Sequence, residues 1–428
     1  MQKIVLLAFV LVLLSMLLPG TGFVVRVSSS TTLHVYPGKT IQEAINQAQP
    51  RDTIIVHAGT YYENVIVNKT VSLIGENKHT TIIDGGTAQF DVVYISAHSV
   101  TINSFTLQRG GRGIYPDRRG VYVYSSNNTN ISNNVIRDNV EGIFICISND
   151  NVVRNNSIHA NTKNGLWLYG SSNNVITYNT IANNGEFGMV LQGSCSNNLI
   201  FHNNFINDKN HHISTTGESG NVWDDGYPSG GNYWSDCDST DIYSGQCQNE
   251  TGSDGIGDTS YDIDVNNQDN YPLMGMFYDF RFWDVNIVIS NSTIHQFSAG
   301  YHMNSTTGTW EKCVMFHVLG TEGTVGFCRV MIPRDFMESP YTVLVYNEKG
   351  NSTELSASNS THAFLYFTYT HSGIVIIIPE FPTLTAMLLI LIVLTATIAI
   401  HKRCMHGTHI SFRPLFSRYF SGEGKDYV

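Results

Sequence analysis

The chain is short of charge, of paired cysteine and of helical periodicity, and each shortage excludes something. Only 14% of its 428 residues are charged, and acidic residues outnumber basic ones by 35 to 24, for a net charge of −11. That balance repels phosphate backbones, so nucleic acid is not an expected partner. Its seven cysteines form no CxxC pair, which argues against a zinc ribbon or a thioredoxin-like redox motif. Apolar residues at helical spacing occur convincingly in one soluble stretch, Thr40–Ala48, so the chain is not a helical bundle.

Asparagine, glycine, tyrosine and branched aliphatics fill the sequence instead. Between Asn127 and Asp208 they repeat four times. Asn134, Asn156, Asn179 and Asn204 align at steps of about 22 to 25 residues, as do Ile136, Ile158, Ile181 and Ile206. Gly142, Gly165 and Gly188 each open an alternating run, with Ile143/Ile145, Leu166/Leu168 and Met189/Leu191 on one side and Phe144, Trp167 and Val190 on the other. The period is too short for a βαβ unit and fits one turn of a parallel β-helix. In such a coil, stacked asparagines hydrogen-bond along a corner and tolerate the left-handed backbone of a tight turn.

The rest of the chain extends this reading. Thr40–Ala48 places Ile41, Ala44, Ile45 and Ala48 on one face, with a Thr40/Glu43 capping box, and predicts a helix that covers the open first coil. Strands are expected at Thr53–Val56, Asn64–Val67, Val71–Ile74, Thr81–Asp84, Val92–Ile95 and Val100–Leu107. Counting on to about His212 gives roughly seven coils, a rod of roughly 33 Å at about 4.8 Å per coil. After Met274, Phe277–Ile378 alternates β-rich runs with polar turns at the spacing of a small β-sandwich.

The ends read as export and anchoring. Lys3, the apolar run Ile4–Leu18 and Pro19–Gly22 form a secretory signal or an uncleaved anchor. Thr383–Ile400 with its flanks just spans a bilayer, and His401-Lys402-Arg403 places the tail in the cytoplasm. Asn-x-Ser/Thr sequons at Asn68, Asn127, Asn130, Asn155, Asn249, Asn291, Asn304, Asn351 and Asn359 agree with an exported glycoprotein. In an oxidising compartment Cys237 can pair with Cys247, and Cys313 with Cys328; reduced thiols are the alternative for both.

The expected organisation is therefore all-β: a signal peptide over 1–30, a parallel β-helix with a capping helix over 33–275, a β-sandwich stalk over 276–378, a transmembrane helix over 382–400 and a cytoplasmic tail over 401–428. GKTIQEAINQAQPRDTIIVHAGTYYENVIVNKTVSLIGE, the NN-I repeats, and above all NVWDDGYPSGGNYWSDC with DGIGDTSYDI and DNYPLM, resemble the NosD-type periplasmic β-helix family. The resemblance covers about Leu33 to Met274 and implies a pectin-lyase-like right-handed parallel β-helix with carbohydrate-binding and sugar-hydrolase repeats. Where relatives have a short acidic link, this chain inserts DSTDIYSGQCQNETGS before DGIGD. TVGFCRVMIP, YTVLV and LYFTYTHS resemble a module that precedes membrane anchors in archaeal-type surface proteins, and IPEFP before the span resembles a C-terminal sorting signal. Such signals end within a few basic residues, whereas this chain runs on to Val428, which favours a retained anchor.

Candidate chemistry follows from residue type. The outward aromatics Tyr122, Phe144, Trp167 and Tyr169 in adjacent coils can stack on sugar rings or pack on a neighbour. Glycoside hydrolysis needs two carboxylates across the scissile bond, and Asp138, Glu141, Asp150, Glu186 and Asp208 occupy unlike positions in their coils. A lyase would draw on Arg112, Asp117, Arg118 and Arg119, with Arg154 beside them. DGIGD resembles a half-loop of extracellular calcium repeats, so Asp254, Asp258 and Asp262, with Asp236, Asp238, Asp241 and Asp264 nearby, are candidate Ca²⁺ ligands or turn builders. The family name implies copper, for which His202, His211 and His212, with Met274 and Met276 further on, are the candidate donors. Three functions from different classes result. They are a non-catalytic rod binding cell-surface glycans or neighbouring surface proteins, a polysaccharide lyase or hydrolase, and a copper-handling accessory protein. The thin carboxylate and donor sets place the binding rod first.

Overall fold

The computed structural model describes residues 30–86, 90–110, 118–282, 285–303, 310–321, 323–345, 348–370 and 372–380. The expected signal segment (but for its last residue), transmembrane span and tail lie outside these residues. Among the described residues no helix is long and apolar enough to cross a membrane. They fall into two compact units: a rod of residues up to Asp279 with Ile287–Ser292 and Phe327–Arg329, and a second unit of Phe280–Asn286, Thr293–Gly326 and Val330 onward.

The rod is a parallel β-solenoid with three faces. Face I runs from Thr32–Val35 to Leu199–Phe201 in eight strands, face II from Gly59–Tyr62 to Tyr233–Trp234 in eight, and face III from Val65–Val67 to His211–Thr215 in seven. About eight coils result, one more than the sequence count. The extra strand is Thr32–Val35, which pairs in parallel with Thr53–Val56. Alternation decides what is inside: Ile143, Ile145, Leu166, Leu168, Met189 and Leu191 all point inward and are fully buried.

Asparagine ladders run along all three corners. Between faces I and II, the backbone N–H of Asn134 donates to Asn156 Oδ1 (3.0 Å), Asn156 to Asn179 (3.0 Å), Asn179 to Asn203 (3.0 Å) and Asn203 to Asn232 (3.0 Å). Asn139, Asn161 and Asn184 repeat this between faces II and III and end on Asp208. Asn151, Asn174, Asn198 and Asn221 do so between faces III and I. Each side-chain amide also donates to the next oxygen, as Asn156 Nδ2 does to Asn179 Oδ1 (3.0 Å).

Two sequence expectations shift by one residue here. The fourth rung is Asn203 rather than Asn204, and Phe205 rather than Ile206 stacks on Ile181. Asn204 points elsewhere: its amide accepts from Phe277 N–H (2.7 Å) and donates to Phe277 O (3.0 Å). The left-handed backbone does not belong to the rung either. It falls on the preceding residue, at Asn133, Asn155, Tyr178 and His202, all with φ between 55° and 62°. In the doublets Asn133-Asn134 and Asn155-Asn156 the first residue makes the turn and the second goes inside, and Tyr178 and His202 make the same turn before Asn179 and Asn203.

Glycine is demanded where face III begins. A Cβ at Gly142 would lie 2.2 Å from the carbonyl oxygen of Gly165 and 2.7 Å from Ile158 Cγ2. The next coil presses on the corner too closely for any side chain.

Side chains close both ends of the rod. The helix forms over Ile41–Gln47 with Thr40 as N-cap. Glu63 accepts the N–H groups of Ile41 (2.8 Å) and Gln42 (3.2 Å). Gln42 imitates a missing strand, since its amide accepts from Ile66 N–H (2.8 Å) and donates to Ile66 O (3.2 Å). At the far end Trp223 and Trp234 are 1% exposed. Trp234 is stacked between Phe205 (4.6 Å) and Tyr261 (4.4 Å).

The second unit contributes to two five-stranded sheets, with the expected runs appearing as Trp310–Leu319, Tyr341–Val345, His362–Thr370 and Gly373–Pro379. The long strand Thr293–Met303 was not expected, because His295, Gln296, Ser298, Gly300 and His302 dilute its apolar pattern. The expected disulfides are absent among the described cysteines. Cys237 packs half-buried against the rod core while Cys247 is exposed in a turn, and Cys313 and Cys328 are both buried.

Asn156 accepts from two groups of Asn134 and donates to Ile131 O and Asn179 Oδ1. Asn156→Ala leaves a buried N–H and C=O unpaired and should lower unfolding free energy in urea by about 3 kcal/mol. Asn155→Gly, at φ 55°, should cost less than about 0.5 kcal/mol.

Candidate functional site

The outward side of face III carries the aromatics. Tyr94, Tyr122, Phe144, Trp167 and Val190 stand in register on successive strands. Ring centroids are 5.3 Å apart for Tyr94–Tyr122, 5.3 Å for Tyr122–Phe144 and 4.7 Å for Phe144–Trp167. The Arg119 guanidinium lies 4.2 Å from the Tyr122 centroid and 4.6 Å from that of Phe144, a cation–π cover over both. Asp91 fixes Arg119 by accepting its backbone N–H (3.0 Å).

A second file runs beside the first: Tyr124, Cys146, Tyr169 and Gln192. Tyr124 and Tyr169 are each 41% exposed, whereas Cys146 between them is buried. The four expected aromatics therefore share one face but do different things. Tyr122 and Phe144 lie only 11° from parallel and use their faces on each other, and Phe144 is 7% exposed. Tyr124 was missed, although the Tyr-Val-Tyr alternation at 122–124 places it outward with Tyr122.

The expected lyase cluster is not assembled among the described residues. Arg112 and Asp117 lie outside them. Arg118 is buried, and among the described residues none of its three guanidinium nitrogens has a hydrogen-bond partner. Arg154 ends a strand of face I, over the Tyr178 ring at 5.7 Å, so it does not neighbour Arg118 at the entry to face III. Of the acidic residues, Glu141 is 1% exposed and accepts Asn164 N–H (3.0 Å). Burial pushes its carboxyl up to about 7, against the opposing Asn164 N–H and Lys163. Asp138 is exposed at an Arg137 contact of 3.4 Å.

The metal candidates are likewise engaged with protein donors. Asp258 accepts from Thr240 Oγ1 (2.9 Å), Ile242 N–H (3.0 Å) and Tyr243 N–H (3.0 Å), and Asp254 from Ile256 N–H (3.0 Å). Asp262 accepts from Gln268 Nε2 (2.6 Å). Asp254 and Asp258 thus hold turns and Asp262 a cross-strand pair, whereas a calcium cage needs their oxygens turned to a common point.

The histidines also diverge. His202 stacks on Phe277 (4.2 Å) with Nε2 3.0 Å from Ser229 O, and burial pulls it down to about 4. His211 is exposed, and its neighbour His212 lies between Asp208 Oδ2 (3.2 Å) and Asp236 Oδ1 (3.3 Å). Among the described residues no three His, Cys, Asp or Glu side chains are grouped to hold a metal ion. The histidine set does not fit copper.

A carboxyl whose folded pKa is raised contributes stability that is complete below its unfolded value, near 4.3, and is lost as pH rises through about 7. Glu141→Gln keeps an acceptor for Asn164 N–H and removes that loss. Urea unfolding should show the variant more stable than the parent at pH 8 by about 1–2 kcal/mol. The two should be nearly equal at pH 5.

Residues 27–239 match the family described as periplasmic copper-binding protein (NosD). The chain is 33% identical over 118 residues to a cell surface glycoprotein of Methanothermus fervidus, a match covering 27% of this chain and 19% of that protein. It thus spans about a fifth of that relative's length. Among solved structures, the catalytic domain of a GH87 alpha-1,3-glucanase in complex with nigerose shares 18% identity over 45% of this chain and 38% of that one, with a TM-score of 0.39. An alginate lyase from Paenibacillus sp. str. FPU-7 shares 12% over 48% and 98%, at 0.33. The Dettilon tailspike protein shares 15% over 77% and 67%, at 0.34. At these identities and scores the likeness says nothing of activity. The family match, with the repeat and its ladders, shows that this chain carries a NosD-type β-helix domain.

Proposed function

We propose that the protein is a non-catalytic, extracytoplasmic surface protein that binds glycans through the outward side of face III. The observation that carries this reading is the paired aromatic file: Tyr124 and Tyr169 half-exposed, two coils apart, beside a ladder of Tyr94, Tyr122, Phe144 and Trp167. A solvated face has no need of contiguous aromatic surface, and rings with one apolar body and one polar tip suit sugar faces and hydroxyls together. Arg119 and the stacked Tyr122–Phe144 pair form the rigid base, which limits the entropy lost when a ligand docks. The sequons, and a relative named as a cell surface glycoprotein, support an exported location.

The two files separate binding from stability. Tyr124→Ala with Tyr169→Ala should weaken retention on a glycan array about tenfold, from about 0.5–1.5 kcal/mol per stacked ring, with the melting temperature little changed. Phe144→Ala should instead destabilise the rod by about 3 kcal/mol. Array signals unchanged in the double variant would reject the proposed glycan face.

A further inference from the structure

The second unit has a cleft of about 360 Å³ whose walls include Tyr301, Trp310, Lys312, Phe336 and Pro379. Its position follows from strand register. In Trp310–Leu319 the residues Val318, Phe316 and Val314 face the core and are fully buried. Lys312 and Trp310 continue the same file by alternation, and Tyr301 stands opposite Lys312 on the neighbouring strand. Yet Trp310 is 67% exposed and Tyr301 64% exposed. The core face of the sheet runs on past its cover.

That uncovered end is also where the chain leaves. The antiparallel register of Val314 with Ile377 puts Lys312 level with Pro379, and Trp310 two residues further in the direction of the exit. The exit is pinned. Glu380 N–H donates to Pro340 O (2.6 Å), and Glu380 Oε1 accepts from Thr342 Oγ1 (2.6 Å). The apolar run Thr383–Ile400 starts three residues after Glu380, a reach of at most about 11 Å.

We propose that this cleft rests on the membrane interface, with Trp310 and Tyr301 seated among lipid headgroups beside the entry of the span. Aromatic rings with polar tips are favoured at that depth, and a lysine with an apolar stem keeps its ammonium in water while its methylenes lie on the apolar side. Lys312 has this form, with Nζ 3.5 Å from Asp335 O and 5.6 Å from the Phe336 ring centroid. Charge does not drive the contact. Glu311, Asp335 and Glu338 offset Lys312 and Arg334 along the walls, and Arg334 is held by Glu354, Asn359 O and Ser339. The contact should therefore form on uncharged phosphatidylcholine. It stands independently of the glycan reading for the rod.

The test uses the full chain in phosphatidylcholine nanodiscs with bromine near the headgroup or deep on the acyl chain. Headgroup-proximal bromine should quench tryptophan emission at least twofold more in the parent than in Trp310→Phe, and more than deep bromine does. An independent Tyr301→Trp variant should gain quenching from the same lipid. Equal quenching in parent and Trp310→Phe, or no gain in Tyr301→Trp, overturns the proposal. So does protection of Trp310 by a soluble polysaccharide in place of lipid, which would make the cleft a second glycan site.

Discussion

The buried side-chain amide is the interaction on which the rod depends. A coil of about 22 residues turns three corners, and each corner takes backbone N–H groups out of water without a strand partner. An asparagine facing inward supplies the acceptor and, through Nδ2, donates to the next rung and to a carbonyl of the coil before, as Asn156 does to Ile131. The group that satisfies the corner thus also binds coil to coil. Hydrogen bonds of this kind contribute little net free energy each, but leaving one unmade in a dry corner is costly, so the ladder has to be continuous.

Continuity raises the question of how a ladder stops. Two of the three stop on a carboxylate. Asn232 N–H donates to Asp269 Oδ2 (2.8 Å), and Asn184 N–H to Asp208 Oδ1 (2.9 Å). Asp269 also accepts from Trp234 Nε1 (2.9 Å) and Tyr271 N–H (3.1 Å), so the last rung and the tryptophan that covers the core are fixed together. Burial raises Asp269 to about 7 in spite of these donors. The segment from Asn221 to Met274 is this closure. Within it Asp224, Asp241, Asp254, Asp258, Asp264 and Asp269 each accept backbone N–H groups, so these carboxylates have a structural use in the closure.

With the corners committed to asparagine and the interior to aliphatics, only outward positions are free to differ between coils. Face III uses that freedom for aromatics, and the sheet geometry sorts them. Rings directly in register stack on one another, whereas the file two residues along, interrupted by Cys146, leaves Tyr124 and Tyr169 open. The second unit shows the same logic at its edge, where a core-facing file outruns its cover and ends in an exposed tryptophan.

Much of this was legible in the sequence, because a repeat repeats its reasons: the aliphatic alternation, the rung asparagines of three coils, the glycines of face III and the helix cap all follow from local pattern. The doublet Asn203-Asn204 misled because either residue can be the rung by spacing alone; only stacking of Phe205 on Ile181, and Phe277 taking up the Asn204 amide, selects the first. Candidate sites were less legible. Arg118 and Arg154 look adjacent along a rod until the coil assigns them to different faces, and His202, His211 and His212 are close in sequence yet diverge in space. The coil is written in the sequence, since period and alternation are properties of neighbours along the chain. Tertiary structure decided which aromatics are open, which carboxylates are occupied and where the core face is left uncovered, because those depend on partners one or more coils away.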